Sequence, residues 1–166
     1  LDDCRTIAGL AKWKASDKSN QKALEKVLNE ERSDFLKLDL SEKIESLSEI
    51  YGVSAKEAEE QVLSLYAARV SLSNANGMVT EADLEGADAL VVKLKNVKLH
   101  SAPSSEGQGG ILVTSEMGDV EKSFQSGERI SLGKNEQVAA ILTVSFYVTT
   151  LAQSLREYAT NLGVTE

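Results

Sequence analysis

The residues best suited to covalent chemistry in this chain are its only histidine, His100, and its only cysteine, Cys4. A Ser-His-Asp arrangement could be built only around His100, and no Gly-x-Ser-x-Gly turn supplies the nucleophilic serine. One cysteine gives neither an intrachain disulfide nor a cysteine-based zinc site. Rossmann, P-loop, HExxH and CxxC motifs are also missing from the sequence. The residue types therefore predict a non-enzymatic protein without a bound cofactor.

A second candidate for chemistry is the stretch from Leu72 to Asp83, where oxygen-bearing side chains recur at calcium-ligand spacing. Asn74, Asn76 and Asp83 occupy the third, fifth and last places of a twelve-residue loop. The stretch resembles an EF-hand loop, and the resemblance implies Ca²⁺ binding through these three residues. It departs from the pattern at the first place, which holds Leu72, and at the last, which holds Asp instead of a bidentate Glu. The alternative is a plain Asn-Gly turn.

The net charge of the chain argues against some classes of binding partner. The chain has 166 residues, 42% of them hydrophobic and 27% charged, with a formal net charge of −8. This composition is typical of an acidic, soluble, globular protein. A nucleic acid or an anionic membrane surface would require a basic face, so neither is expected as the main partner.

One short segment of the sequence favours a nucleic-acid partner instead. Leu47 to Tyr66, LSEIYGVSAKEAEEQVLSLY, resembles the helix-turn-helix of bacterial regulators, in which a Tyr-Gly-Val-Ser turn leads into a DNA-reading helix. The resemblance implies a DNA-binding regulator. The second helix, however, carries Glu57, Glu59 and Glu60 against Lys56 alone, and carboxylates near phosphates weaken binding. The charges predict an αα-corner with no nucleic-acid partner.

The element that decides the fold is Val138 to Leu155, VAAILTVSFYVTTLAQSL, which carries no charged residue. It fits a period of two and helical spacing equally well. Thr143 to Thr150 contains only β-branched, aromatic and Ser residues, which favour a strand, and from Leu151 the composition favours a helix. A strand followed by a terminal helix is therefore predicted, with one long helix as the rival. A membrane span is not expected, because the run falls short of ~20 apolar residues.

The rest of the chain completes an α+β prediction. Residues 1–80 are predicted to form a helical subdomain. An acidic cluster near residues 81–88 is the predicted boundary. Residues 88–166 are predicted to form a C-terminal antiparallel β meander closed by the terminal helix. Its first strand is predicted to begin at Leu90, and the next three are predicted at Ile111–Thr114, Asp119–Phe124 and Arg129–Leu132.

The predicted function is that of a structural, protein-interaction or assembly protein, binding a protein partner or forming a homo-oligomer. Its contact surface is predicted on the outward face of the charge-free strand, at Thr143, Ser145, Tyr147 and Thr149, or on an uncovered strand edge. The alternatives are a small-ligand or Ca²⁺-binding protein using residues 72–88 and the DNA-binding regulator. A start at Leu1 favours a processed secreted or periplasmic chain over a cytoplasmic one, although an excerpt of a longer chain would look the same.

Overall fold

The protein is α+β. The computed structural model describes residues 1–15, 32–103 and 111–163. In chain order the elements are α1 (Asp2–Ala15), α2 (Leu40–Tyr51), α3 (Lys56–Asn74), the single turn α4 (Glu81–Leu84), β1 (Leu90–Pro103), β2 (Ile111–Phe124) and α5 (Lys134–Asn161). Residues 32–37 are also helical. The predicted class, with helices first, then an antiparallel sheet, then a terminal helix, is confirmed.

The helices of the first half form where the pattern of apolar residues predicts them. The best-defined start is that of α2, where Asp39 accepts a hydrogen bond from the Glu42 N–H and the Glu42 carboxylate accepts one from the Asp39 N–H. This reciprocal capping satisfies backbone donors that a helix start leaves free. Gly52, at φ +66°, ends the helix in the left-handed region, which glycine adopts without strain. The apolar spacing of Leu24, Val27, Leu28, Phe35 and Leu38 predicts a second helix; residues 32–37 are helical, and the part before residue 32 lies outside the described residues.

The strand predicted from Val138 to Thr150 is wrong, because this segment lies within the 28-residue helix α5. The residues that α5 buries recur at every fourth position: Ala139, Thr143, Tyr147, Leu151 and Leu155. Thr143 tolerates the helix because its hydroxyl donates to the carbonyl of Ala139, 2.8 Å away. Side-chain burial and this local bond outweigh the weak preference of β-branched residues for strands.

The predicted meander is a single hairpin. β1 and β2 pair in antiparallel register over 14 residues each, from Leu90 opposite Phe124 to Pro103 opposite Ile111. The two short strands predicted within 111–124 are one continuous strand. The strand predicted at Arg129–Leu132 is wrong, since only an isolated bridge joins Arg129 to Met78. Within residues 1–15, 32–103 and 111–163, the sheet has these two strands alone.

The chain forms two compact units, one of residues 1–59 with 147–166 and one of residues 60–146. These bounds differ from the predicted division into two subdomains near residues 81–88, which stays a prediction. In the first unit, Phe35 is buried beneath the Arg5 guanidinium and the Lys43 ammonium, 4.8 and 5.6 Å from its ring centroid. Tyr51 and Tyr158 meet edge to face at 5.8 Å.

The second unit contains the hairpin and one continuous apolar core. Its buried members are Ala68, Val79, Leu84, Leu90, Val92, Leu94, Phe124, Ile130 and Ala139. Every β1 residue among them has an even number, so one face of the strand covers this core. The core residues of the hairpin all come from its inner half, nearest residues 90 and 124.

Candidate interaction surface

The inner half of the hairpin is fixed along the free edge of β1 by helix hydroxyl groups. Ser64 Oγ in α3 accepts the Lys93 N–H at 2.8 Å and lies 3.2 Å from the Lys93 carbonyl oxygen. Thr143 Oγ1 in α5 accepts the Lys95 N–H at 2.7 Å. These groups would otherwise be unpaired backbone at a sheet edge, which invites pairing with another strand. The edge of β1 is therefore closed along this half.

The lysines of this half also have specific partners. Lys93 forms ion pairs with Glu60 and with Glu121, the latter at 3.7 Å. Lys95 forms one with Asp119 at 3.0 Å, and its ammonium lies 5.9 Å from the centre of the Phe146 ring. The hydrogen bonds and charge of Glu60, with those of Glu121, raise the pKa of Lys93 against the opposing effect of burial. The lysine side chains of this half are thus paired with carboxylates and partly covered.

The apolar side of the hairpin changes at the pair Asn96–Gly118. Before it, Leu90, Val92 and Leu94 place apolar side chains on the even-numbered face. After it, the apolar residues are odd-numbered, Val97 and Leu99 in β1 with Val113 and Met117 in β2. Because side chains alternate along a strand, a one-residue change of phase moves the apolar side chains to the opposite face. The outer half therefore carries an apolar face that the core cannot reach.

This outer face is open to solvent among the described residues. Leu99 is 71% exposed, Val113 60% and Met117 44%, while Val97 is half-buried. Val97 lies directly opposite Met117, and Leu99 lies diagonally between Met117 and Val113. We call these four residues the arm patch. Contiguous exposed apolar side chains of this kind mark interaction surfaces more often than isolated ones do.

The other face of the outer half is polar and equally exposed. It carries Lys98, His100, Thr114 and Glu116, and the His100 Nε2 lies 3.5 Å from a Glu116 oxygen. Exposed pairs at this distance contribute little to stability. Neither face of the outer half is covered by the described part of the chain.

The free edge of β2 is open as well. Both the N–H and the carbonyl of Lys93 point away from β2, towards Ser64, so Lys93 and Glu121 form a non-hydrogen-bonded pair. Such pairs alternate along antiparallel strands, so Val113, Ser115 and Met117 also direct their backbone groups away from β1. Among the residues that the structure describes, none forms a hydrogen bond with these outward groups.

The four residues predicted to form an interaction surface do not share a face. Thr143 and Tyr147 belong to the buried row of α5, whereas Ser145 and Thr149 are exposed. Burial raises the pKa of the Tyr147 phenol, and Glu59 and Cys4 add to the effect. The predicted surface required alternating side chains of a strand, and a helix separates them.

The structure places the predicted calcium ligands in the turn that follows α3 and at the start of α4. Asn74 ends α3 and Asn76 adopts a left-handed conformation at φ 51°, both exposed. One Asp83 oxygen accepts the Ser71 hydroxyl at 2.6 Å, and the other accepts the N–H and hydroxyl of Thr80 at 2.8 and 2.6 Å. These bonds, that from Ser71 first, lower the pKa of Asp83. Both oxygens that would bind an ion are already hydrogen-bonded.

The other candidate residues come no closer to a reactive or metal-binding arrangement. Cys4 is a half-buried free thiol in α1, and His100 lies on the outer hairpin in the other unit. Over residues 1–15, 32–103 and 111–163, no group of three or more His, Cys, Asp or Glu side chains could hold a metal ion.

The helix-turn-helix resemblance is confirmed only as two successive helices, α2 and α3, joined at Gly52. Two of the carboxylates that open α3 have partners within the protein. The Glu59 carboxylate accepts the Ala55 N–H at 3.0 Å, and Glu60 pairs with Lys93. These acidic side chains therefore stabilise the start of the helix and the hairpin contact.

Helix α5 is long and apolar enough to cross a membrane by length and composition, the one such helix in the described chain. Besides its buried row it has an exposed row with Val138, Ile141, Val144 and Val148.

The four residues of the arm patch were missed from the sequence, although the sequence carries a sign of them. In LVVKLKNVKL the apolar positions change from even to odd numbers across Asn96, and in VTSEMGDVEKSF they change back across Gly118. Such a change of phase within one strand indicates that the apolar side chains move to its opposite face. The pairing of Asn96 with Gly118, which aligns the two changes, is visible only in the structure.

No protein-family model, curated protein or solved structure matches this chain.

Proposed function

We propose that this is a non-enzymatic interaction or assembly protein whose binding element is the outer half of the β1–β2 hairpin. The observation that carries the proposal is the exposure of the arm patch, led by Leu99 at 71%. Binding sites on proteins use such apolar centres surrounded by polar residues. Lys98 and Glu116 supply polar surroundings on the same strands.

The hairpin is suited to this role because it is rigid where it meets the core. The hydroxyl groups of Ser64 and Thr143 and the ion pairs of Lys93 and Lys95 hold its inner half. Each 14-residue strand extends on the order of 45 Å. Side chains on a preordered element lose less conformational freedom on binding, which favours affinity.

The test compares a patch variant with a variant of the opposite face. Leu99→Ser with Met117→Ser removes two apolar side chains, and His100→Ala changes the polar face of the same hairpin on the strand away from the β2 edge. We expect the patch variant to weaken association, with itself or with a protein from its source, by about 30-fold, as loss of a ~2 kcal/mol anchor does. Sedimentation velocity and retention of proteins from an extract measure it. Equal association by all three proteins would contradict the proposal.

The patch variant should still fold. Leu99 and Met117 are exposed, so their replacement is expected to change the free energy of unfolding by less than about 0.5 kcal/mol. Urea unfolding of the two variants and the original protein measures this. Matching stabilities would assign any lost association to the surface itself.

A further inference from the structure

We infer that the partner of the outer hairpin is a second copy of the chain, paired edge to edge through β2 of each copy into a four-stranded antiparallel sheet. The inference rests on the proposed function and specifies its partner. Two features support it: the open edge of β2, and the order of side chains along that edge.

The open edge supplies the hydrogen bonds. Val113, Ser115 and Met117 direct their N–H and carbonyl groups away from β1, and no other described residue bonds to them. The edge of β1 is closed over its inner half by Ser64 and Thr143, and the Asn96 side chain accepts the Val97 N–H. Less of the β1 edge than of the β2 edge is therefore open to an added strand. Two copies of β2 related by a twofold axis are antiparallel, as the geometry of such a pair requires.

The side chains along the edge are self-complementary in one register. With Ser115 opposite the same residue of a second copy, Val113 lies opposite Met117 in both halves of the contact. Apolar cross-strand pairs stabilise a sheet. On the other face Thr114 lies opposite Glu116, so no two like charges are directly opposed, and Glu116 has Lys98 beside it on its own copy.

Neighbouring registers lack this complementarity. Shifted to centre on Met117, the pairing sets Val113 opposite Glu121 and Ser115 opposite Asp119. Shifted to centre on Asp119, it opposes two carboxylates, which destabilises a sheet. Centred on Glu116, the pairing opposes two carboxylates, and centred on Thr114 it sets Val113 opposite Ser115. Only the register centred on Ser115 sets Val113 opposite Met117 in both halves of the contact.

The contact is small, which sets its expected strength. A short edge of this kind falls below the ~1,200 Å² buried by stable complexes, so we expect a dissociation constant on the order of 10–100 µM. The arm patches of both copies lie on one face of the combined sheet, because the odd-numbered side chains of all four strands point the same way.

Cross-linking tests the register directly. In a Cys4→Ser background, Ser115→Cys places two thiols on opposed residues whose Cα atoms are about 5.5 Å apart, within the range of a disulfide. Ser123→Cys is the matched control, because it is exposed on the same strand but lies on the order of 50 Å from its counterpart. Mild oxidation should link the first variant into dimers and leave the second monomeric. Equal cross-linking of both would overturn the register.

A charge exchange tests the same pairing without oxidation. Val113→Glu and Met117→Lys should each lower self-association by about tenfold or more. Mixing the two variants should restore it, since one opposed pair then joins a carboxylate to an ammonium. Failure to restore it, with both variants folded, would overturn the inference.

The outcomes separate the two proposals. A wild-type protein that stays monomeric to about 1 mM, but loses a different protein partner in the Leu99→Ser, Met117→Ser variant, overturns the second-copy inference and leaves the proposed function standing. A wild-type protein that neither dimerises nor loses any partner in that variant overturns both. Concentration-dependent dimerisation that depends on Val113 and Met117 supports both.

Discussion

Asp83 shows how a residue with the right chemistry for a ligand is used for structure. Its two oxygens accept three hydrogen bonds, from Ser71 in α3 and from Thr80 before α4. Ser71 is completely buried, so its hydroxyl depends on this partner. The carboxylate thereby joins a long helix to the turn that follows it, at the position where the spacing predicted a metal ligand.

Replacement of Asp83 should therefore cost stability. Asp83→Asn keeps one carbonyl oxygen but loses the charge and the second acceptor, and we expect a loss of about 1 kcal/mol in the free energy of unfolding at neutral pH. Glu81→Gln, in the same turn and exposed, is the control and should change it by less than about 0.5 kcal/mol. Urea unfolding measures both.

The same substitution predicts a pH dependence. Hydrogen bonds to the carboxylate lower the pKa of Asp83 in the folded state below its ordinary 3.8. Its contribution is then fully present above the unfolded-state pKa and is lost as the pH falls through the lower folded-state pKa. The stability gap between wild type and Asp83→Asn should narrow over that acidic range. A gap that stayed constant would show that the charge of Asp83 does not contribute.

At the scale of elements, the two halves of the hairpin differ: the inner half packs on the core and the outer half is exposed. Its inner half is closed on one face by apolar packing and along the β1 edge by helix hydroxyls, and its outer half is closed by neither. Thr143 is central to this difference, because it is fully buried, bonds to its own helix and accepts from the strand. A polar side chain in the middle of an otherwise apolar segment is thus the contact between α5 and β1.

Loss of the Thr143 hydroxyl should destabilise its contact with β1. Thr143→Val keeps the shape but leaves the Lys95 N–H without its acceptor, which we expect to cost about 1–3 kcal/mol. Thr143→Ser retains the hydroxyl and should cost about 1 kcal/mol or less. Amide hydrogen exchange of Lys95 distinguishes the causes: it should become faster in the Val variant and change little in the Ser variant. Unchanged exchange in the Val variant would contradict the role given to Thr143.

At the scale of the whole molecule, charge and burial together bear on the class of partner. The net charge of −8 repels phosphates and anionic lipid surfaces. The helix long enough to span a bilayer has a row of buried residues, including Thr143 and Tyr147, in contact with protein. Insertion of that helix into lipid would require these contacts to be given up.

We therefore expect the protein to stay in the aqueous phase. Flotation with vesicles of neutral lipid, and with vesicles containing anionic lipid, should leave it at the bottom of the gradient. Ile141→Lys, which charges the exposed row of α5 without touching the buried one, should behave identically. If the wild type floated with the vesicles and the Ile141→Lys variant did not, this would show that α5 enters the bilayer.

Local signals in the sequence were sufficient for the class of the protein and several of its elements. Apolar spacing indicated α2 and α3, and the alternation from Leu90 indicated β1, because these signals act over a few neighbouring residues. Tertiary structure decided the rest. Residues 138–150 fitted two periods, and the buried row of α5 selected the helix, since packing outweighs propensities of about 1 kcal/mol or less. The arm patch likewise exists only because pairing sets Asn96 opposite Gly118 and turns the apolar residues beyond them away from the core.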